Sequence, residues 1–204
     1  MKNNKRNIIN IFTDGGSFEN NSIIAYSGII FFNGKKIKKF SSSERNKTST
    51  YAEIKAIRES LFYLNEYISL HDIDPLKCDV IIYSDALTVV NRIRDIINAG
   101  HIKDITIYGY YMYKSICKLM KKFEGNIKVY HIRSHMLKTD TMVNYNSFIK
   151  DNNVVVTKDT FKFIMEQNTK CDRAVKEAYY DLKSKIPKSY SKTPHKCGNK
   201  RKLI

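Results

Sequence analysis

Residues 23–41 read IIAYSGIIFFNGKKIKKFS. An apolar, β-branched-rich run, Ile23–Phe32, meets Asn33-Gly34 and is followed by a second run, Lys35–Ser41. An Asn-Gly pair between two strand-like runs is a strong hairpin signal, because both turn residues must take positive φ. The stretch therefore predicts two antiparallel strands. Upstream, Asn7–Thr13 (NIINIFT) is β-branched-rich and runs into Asp14-Gly15-Gly16, so it predicts a first strand ended by a turn. Three strands in an antiparallel meander result.

Beyond residue 41 the period changes. Ala52, Ala56, Ile57, Leu61, Leu64 and Ile68 recur at helical spacing and predict a helix over Thr50–Ile68. Asp79–Tyr83 (DVIIY) is a short apolar strand without alternation, as expected where both faces are buried. Further helices are predicted at Asp85–Ile97, Tyr108–Phe123 and Cys171–Lys183, with a strand at Asn126–Ile132. This order gives an α/β layered domain with a mixed sheet. Two segments stand outside it. Met136–Gln167 is polar and reads as an irregular insertion, with Val154-Val155-Val156 its one apolar run. Lys183–Lys202 carries eight basic residues and no acid, half of the net +16, and reads as a disordered basic tether.

A chain of 204 residues suits one domain with a proper core plus an insertion or a tail. Its 42% hydrophobic and 27% charged residues are ordinary for a globular protein. No apolar run approaches the roughly 20 residues that cross a bilayer. The basic N-terminus, MKNNKRNIINIF, has too short an apolar stretch and no small-residue cleavage site, so no signal peptide is read there. Cys78, Cys117, Cys171 and Cys197 form no CxxC pair, which suits free thiols and a cytoplasmic or nuclear location. His195 and Cys197 alone do not make a zinc site. The charge of +16 and pI near 9.6 point to a polyanion, and without a basic amphipathic helix nucleic acid is favoured over membrane.

Four acids stand at informative places: Asp14, Glu53, Asp85 and Asp172. Taken singly, each has a structural explanation. Asp14 precedes two glycines and can form a turn. Glu53 completes a capping box with Thr50, while Asp85 and Asp172 suit helix N-termini. Their joint pattern is what shifts the balance, because strands ending side by side under packed helices can gather such residues.

Five blocks carry that pattern in order: IFTDGGSFENN (11–21), TSTYAEIKAI (48–57), VIIYSDALTVVNRI (80–93), IKVYHIRSH (127–135) and NTKCDRAVKEA (168–178). Together, over roughly residues 7–180, they resemble the type 1 ribonuclease H family. The resemblance implies a ribonuclease H-like fold, a five-stranded mixed sheet (three antiparallel strands, then two parallel) flanked by helices. It divides the chain into a catalytic domain, 1–182, with an insertion at 136–167, and a basic tail, 183–204. It also implies that Asp14, Glu53, Asp85 and Asp172 hold two Mg²⁺ ions, with Mn²⁺ able to substitute. Clustered carboxylates repel unless divalent cations neutralise them, and a metal pair can serve an in-line phosphodiester displacement. The implied activity is hydrolysis of the RNA strand of an RNA–DNA hybrid, by a monomer, leaving 5′-phosphate and 3′-hydroxyl ends.

By the same resemblance His135 is the loop histidine that moves protons or releases product, against a plain surface histidine. His131 is read as part of the strand. Asn20, Thr48, Ser49 and Thr50 match polar residues that contact the hybrid's minor groove and 2′-hydroxyls, although Thr48–Thr50 also suit a helix cap. Arg92, Arg94, Lys114, Lys118, Lys121 and Lys122 offer phosphate contacts or a solvated helix face. Tyr108, Tyr110, Tyr111 and Tyr113 offer stacking on nucleotides, with at least two expected to pack instead. Three departures stand out. Leu87 replaces a polar residue, and the connection 99–107 leaves little room for a long basic loop. There are 36 residues between His135 and Asp172, so Asp140, Asp151 and Asp159 compete for the fourth place; the helical context of NTKCDRAVKEA favours Asp172. The competing functions are a junction-resolving DNA nuclease on the same fold, a non-catalytic nucleic-acid-binding module, and a basic RNA-binding protein whose acids are caps and turns.

Overall fold

The computed structural model describes residues 6–20, 22–102, 108–133 and 141–186. Five strands form one sheet: β1 (Asn7–Phe18), β2 (Ile23–Phe32), β3 (Lys35–Arg45), β4 (Cys78–Ser84) and β5 (Ile127–His131). Their order is β3-β2-β1-β4-β5. The first three are antiparallel, whereas β4 joins β1 and β5 joins β4 in parallel. The predicted hairpin turns at Asn33 and Gly34, which have φ of 49° and 79°.

Side-chain alternation divides the core between two faces. Ile9 and Ile11 of β1 join a cluster with helices α1 (Ser49–Leu70), α2 (Leu87–Ala99) and α3 (Tyr110–Met120). Phe12 faces the other way, into a cluster with Phe148 of α4 (Thr141–Asn152) and with Phe161, Ile164 and Cys171 of α5 (Lys158–Ser184). Helices thus cover both faces, as a sheet with two buried sides requires. No helix among the described residues is long and apolar enough to cross a membrane.

Several sequence expectations need correction. Asp14-Gly15-Gly16 is not a turn, since β1 continues to Phe18 and pairs Asp14 with Ser27, Gly15 with Tyr26 and Gly16 with Ala25. Gly15 serves close approach instead. A Cβ there would lie 2.6 Å from the backbone carbon of Ala52 and from the Glu53 nitrogen. Thr48 rather than Thr50 caps α1, its hydroxyl accepting the Tyr51 N–H at 3.2 Å, so no capping box engages Glu53. Asp85 is not the N-cap of α2; Ala86 holds that position. The largest correction concerns 136–167, whose described part is mostly helical. It contains α4 and the start of α5. The hydroxyl of Thr157 caps α5 through the Thr160 N–H at 3.1 Å. Phe161, Ile164 and Met165 begin an apolar stripe that continues through Cys171, Ala174 and Val175. Asp172 therefore lies mid-helix, and α5 runs on to Ser184, past the expected tail boundary.

Candidate active site

Three carboxylates converge where β1, β4 and α1 meet. Asp14 lies two residues beyond Phe12, the last β1 residue paired with β4. Asp85 follows the final residue of β4, and Glu53 lies in the second turn of α1. One carboxylate oxygen from each lies within 4.8 Å of the others. Asp14 and Glu53 are each 8% exposed, while Asp85 is half-buried. Two polar contacts lock the strands beneath them. The Thr13 hydroxyl donates to the Tyr83 carbonyl at 3.2 Å, and the Ser27 hydroxyl donates to the Cys171 carbonyl at 3.0 Å. The second contact fixes α5, and so Asp172, against the sheet.

The electrostatics of the cluster are unfavourable as it stands. Burial, with the charges of Asp85 and Asp172, pushes the Asp14 carboxyl up to about 8. Burial, with Asp85 and Asp14, raises Glu53 well above the ordinary carboxylate range. The backbone N–H of Gly15 opposes both shifts only in part. One buried oxygen of Glu53, Oε2, has no hydrogen-bond partner among the described residues. An unpartnered buried carboxylate oxygen among repelling acids fits a divalent cation, whose charge would reverse each shift.

Asp172 stands beside this trio, outside the three-acid group but close enough for its charge to raise Asp14. Its carboxylate accepts from Lys176 one helical turn on, at 2.7 Å. Neighbouring Cys171 is buried and its thiol is pushed up to about 12, so it packs rather than reacts. His135 and Asp140 lie outside the described residues. Of the other aspartates in the inserted segment, Asp151 pairs with Arg133 at 3.0 Å and Asp159 sits in the first turn of α5. Neither joins the cluster.

The residues expected at the substrate lie around the start of α1. Asn20 is exposed in the β1–β2 turn with φ of 55°. The Asn46 N–H donates to the Ser22 carbonyl at 3.1 Å, tying that turn to the chain entering α1. Ser49 and Thr50 are exposed there, and the Thr48 hydroxyl donates to the Tyr108 hydroxyl at 2.9 Å. An open groove follows, lined by Lys47, Tyr51, Tyr108, Tyr110 and Tyr111. Tyr108 and Tyr111 are 55% and 83% exposed, whereas Tyr113 is buried against α1 and α2. Lys114, Lys118, Lys121 and Lys122 are exposed. Arg94 is not a free phosphate contact: its guanidinium donates to the Val129 carbonyl at 2.9 Å and to Asn152 Oδ1 at 2.7 Å.

Some participants were not read from the sequence. Lys176 was legible in principle, four residues after Asp172 on a helix. The Gly15 N–H and the His131 imidazole, whose Nε2 lies 3.2 Å from the Asp85 carbonyl, depend on close approaches that no spacing rule shows. Burial pushes the His131 imidazole below its ordinary value.

Residues 6–180 match the family described as RNase H. No curated protein matches the sequence. Among solved structures the chain is similar to LC11-RNase H1, isolated from compost by a metagenomic approach. The two share 19% identity and a TM-score of 0.55, over 85% of this chain and 96% of that one. The same protein in complex with an RNA/DNA hybrid is 20% identical with a TM-score of 0.50, over 62% of this chain and 86% of that one. The prototype foamy virus protease–reverse transcriptase is similar over 88% of this chain but only 22% of its own, at 14% identity and a TM-score of 0.56. Identities this low speak for the fold alone.

Proposed function

The chain belongs to the RNase H family, and from that premise we propose that it is a type 1 member, an endonuclease hydrolysing the RNA strand of RNA–DNA hybrids. The observation that carries this reading is the convergence of Asp14, Glu53 and Asp85, with one Glu53 oxygen buried and unpartnered. Asp172, held by Lys176 beside Asp14, is the fourth carboxylate of the set.

These four acids would hold Mg²⁺, two ions in the proposed mechanism with Mn²⁺ able to substitute, and the metal would supply activation of the attacking water and charge stabilisation at the leaving oxygen. In the reaction a water oxygen forms a bond to phosphorus and the P–O3′ bond breaks, leaving 5′-phosphate and 3′-hydroxyl ends. The protein's own part is to hold the carboxylates in place on rigid elements. Gly15 lets α1 approach β1 closely, which brings Glu53 to Asp14. His135 is proposed to move a proton or help release product. Asn20, Thr48, Ser49 and Thr50 are proposed to contact the hybrid through its minor groove and 2′-hydroxyls, which read shape rather than sequence. Residues 1–182, extended to Ser184 by the end of α5, are proposed as the catalytic unit of a monomer, with the remainder of 183–204 as a basic extension.

The test is cleavage of an end-labelled RNA–DNA hybrid in Mg²⁺, beside duplex DNA, duplex RNA and a four-way junction, with Asp85→Asn as control. RNA-strand cutting that the variant loses supports the reading. Cutting of the junction or of duplex DNA instead would replace it with a structure-specific DNA nuclease, and tight binding without cutting would leave a binding module.

A further inference from the structure

Among the described residues β5 is the last strand of the sheet, and its outer N–H and C=O groups have no described strand to pair with. On its inner side it pairs with β4, with His131 opposite Ser84. At its outer edge a side chain from the inserted helix takes the place of a strand. The His131 N–H donates to Asn152 Oδ1 at 2.7 Å, and Asn152 Nδ2 donates to the His131 carbonyl at 2.8 Å. A carboxamide offers one acceptor and one donor side by side, as a peptide unit does, so Asn152 satisfies both groups of His131 at once. Arg94 completes the edge, donating to the Val129 carbonyl and to the same Asn152 Oδ1.

Asn152 is itself well anchored. It is the last residue of α4, and its Nδ2 also donates to the Phe148 carbonyl at 2.9 Å. Phe148 is fully buried, edge-on to Tyr130 and packed against Phe161. Arg133 and Asp151 form an ion pair alongside. From this fixed position the contact continues inward, because the His131 imidazole Nε2 meets the backbone carbonyl of Asp85 at 3.2 Å. A carbonyl only accepts, so Nε2 carries the proton. The same carbonyl accepts the Leu87 N–H at 3.1 Å, at the entrance to α2.

We propose that the inserted helix α4 is a positioning element of the active site: Asn152 holds the backbone of His131 from outside, and the His131 imidazole holds the turn that carries Asp85. Asn152 and His131 are positioning residues, acting through the backbone of Asp85. The inference rests on the reading of Asp85 as a metal ligand. Groups that orient metal ligands from behind typically change metal affinity or activity by roughly ten- to hundredfold when removed.

The experiment uses the full chain and the variants Asn152→Ala, Asn152→Asp, His131→Phe and His131→Gln. In the metal-free protein, amide hydrogen exchange is followed at His131, Ala86 and Leu87. Mg²⁺ binding is measured by calorimetry, and kcat and KM on the hybrid are measured well below the melting temperature. Asn152→Ala is expected to speed exchange at all three amides. It should weaken Mg²⁺ binding by roughly tenfold or more, and lower kcat while KM stays within about twofold. Asn152→Asp keeps the acceptor for His131 and Arg94 and should lie between it and the wild type. His131→Phe keeps the backbone pair with Asn152 but loses the contact to Asp85, so exchange at Ala86 and Leu87 and Mg²⁺ affinity should change while the His131 amide does not. His131→Gln, whose amide can donate to the same carbonyl, should recover most of the loss. Variants that merely melt lower, with wild-type exchange at Ala86 and Leu87 and wild-type Mg²⁺ affinity, would overturn the proposal. A wild type that neither binds Mg²⁺ nor cuts the hybrid would strike the enzymatic reading itself and the proposal with it, a failure distinct from that of the variants alone.

Discussion

Asp14 shows at the scale of one residue how a site trades stability for chemistry. Its carboxyl is held up to about 8, first by burial and then by Asp85 and Asp172, against an unfolded value of 3.8. The folded state therefore keeps a proton that the unfolded state releases. That contribution to stability is fully present below about pH 4 and is lost as pH rises through about 8. Asp14→Asn should abolish hybrid cleavage, yet at pH 8 the metal-free variant should be more stable than the wild type by about 1 kcal/mol. The gap between the two, followed by thermal or urea melting, should narrow towards pH 5. Equal stability at both pH values would mean that Asp14 is not strained in the folded protein. Mg²⁺ provides a complementary check, because a cation that reverses the repulsion should raise the wild-type melting temperature more at pH 8 than at pH 5.

At the scale of elements, the join between β1 and α1 decides whether Glu53 can reach Asp14. Gly15→Ala would place a Cβ 2.6 Å from the Ala52 and Glu53 backbone, which cannot swing aside as a side chain can. A cost of about 1–3 kcal/mol and a large loss of cleavage are expected. Gly16→Ala meets nothing closer than 3.8 Å and serves as the control that should leave both intact. If the two alanine variants melt alike, the close-approach argument fails. The groove at the head of α3 carries another prediction. Tyr111→Ala should raise KM on the hybrid by about fivefold or more with kcat unchanged, since stacking on one base contributes about 1–3 kcal/mol; an unchanged KM would return Tyr111 to plain surface.

These elements also show what the sequence could and could not disclose. The hairpin at Asn33-Gly34, the helix at Thr50 and the apolar strand at Asp79–Tyr83 were legible because each follows from local periodicity or turn chemistry. The Asp14-Gly15-Gly16 segment was misread because a glycine pair signals a turn locally, whereas here it answers to a helix some 40 residues later in the chain. The apolar stripe of α5 was present from Phe161 onward but sat inside a segment judged by its polar composition. The four acids were legible as candidates, and Asp14, Glu53 and Asp85 do converge. Asn152 had no such signal, because a side chain standing in for a strand depends wholly on tertiary contact.

The whole molecule sets a cluster of acids within a chain of net charge +16. On the proposed function a polyanionic substrate approaches four carboxylates, so the positive charge distributed elsewhere does the attracting, and binding should fall steeply with salt. Lys114, Lys118, Lys121 and Lys122 expose part of that charge on and after α3, and residues 187–204 hold another six basic side chains: Lys188, Lys192, Lys196, Lys200, Arg201 and Lys202. Truncation after Ile186 leaves α5, which ends at Ser184, complete. If the removed residues contact phosphates, the truncated protein should bind the hybrid more weakly and lose about two or more from the slope of log K against log salt, where six full contacts would remove about five. Its kcat at saturating hybrid should match that of the intact chain, because no carboxylate of the site is touched. A slope unchanged by the truncation would assign the electrostatic capture of substrate to the folded domain, with the lysines around α3 as the next residues to neutralise.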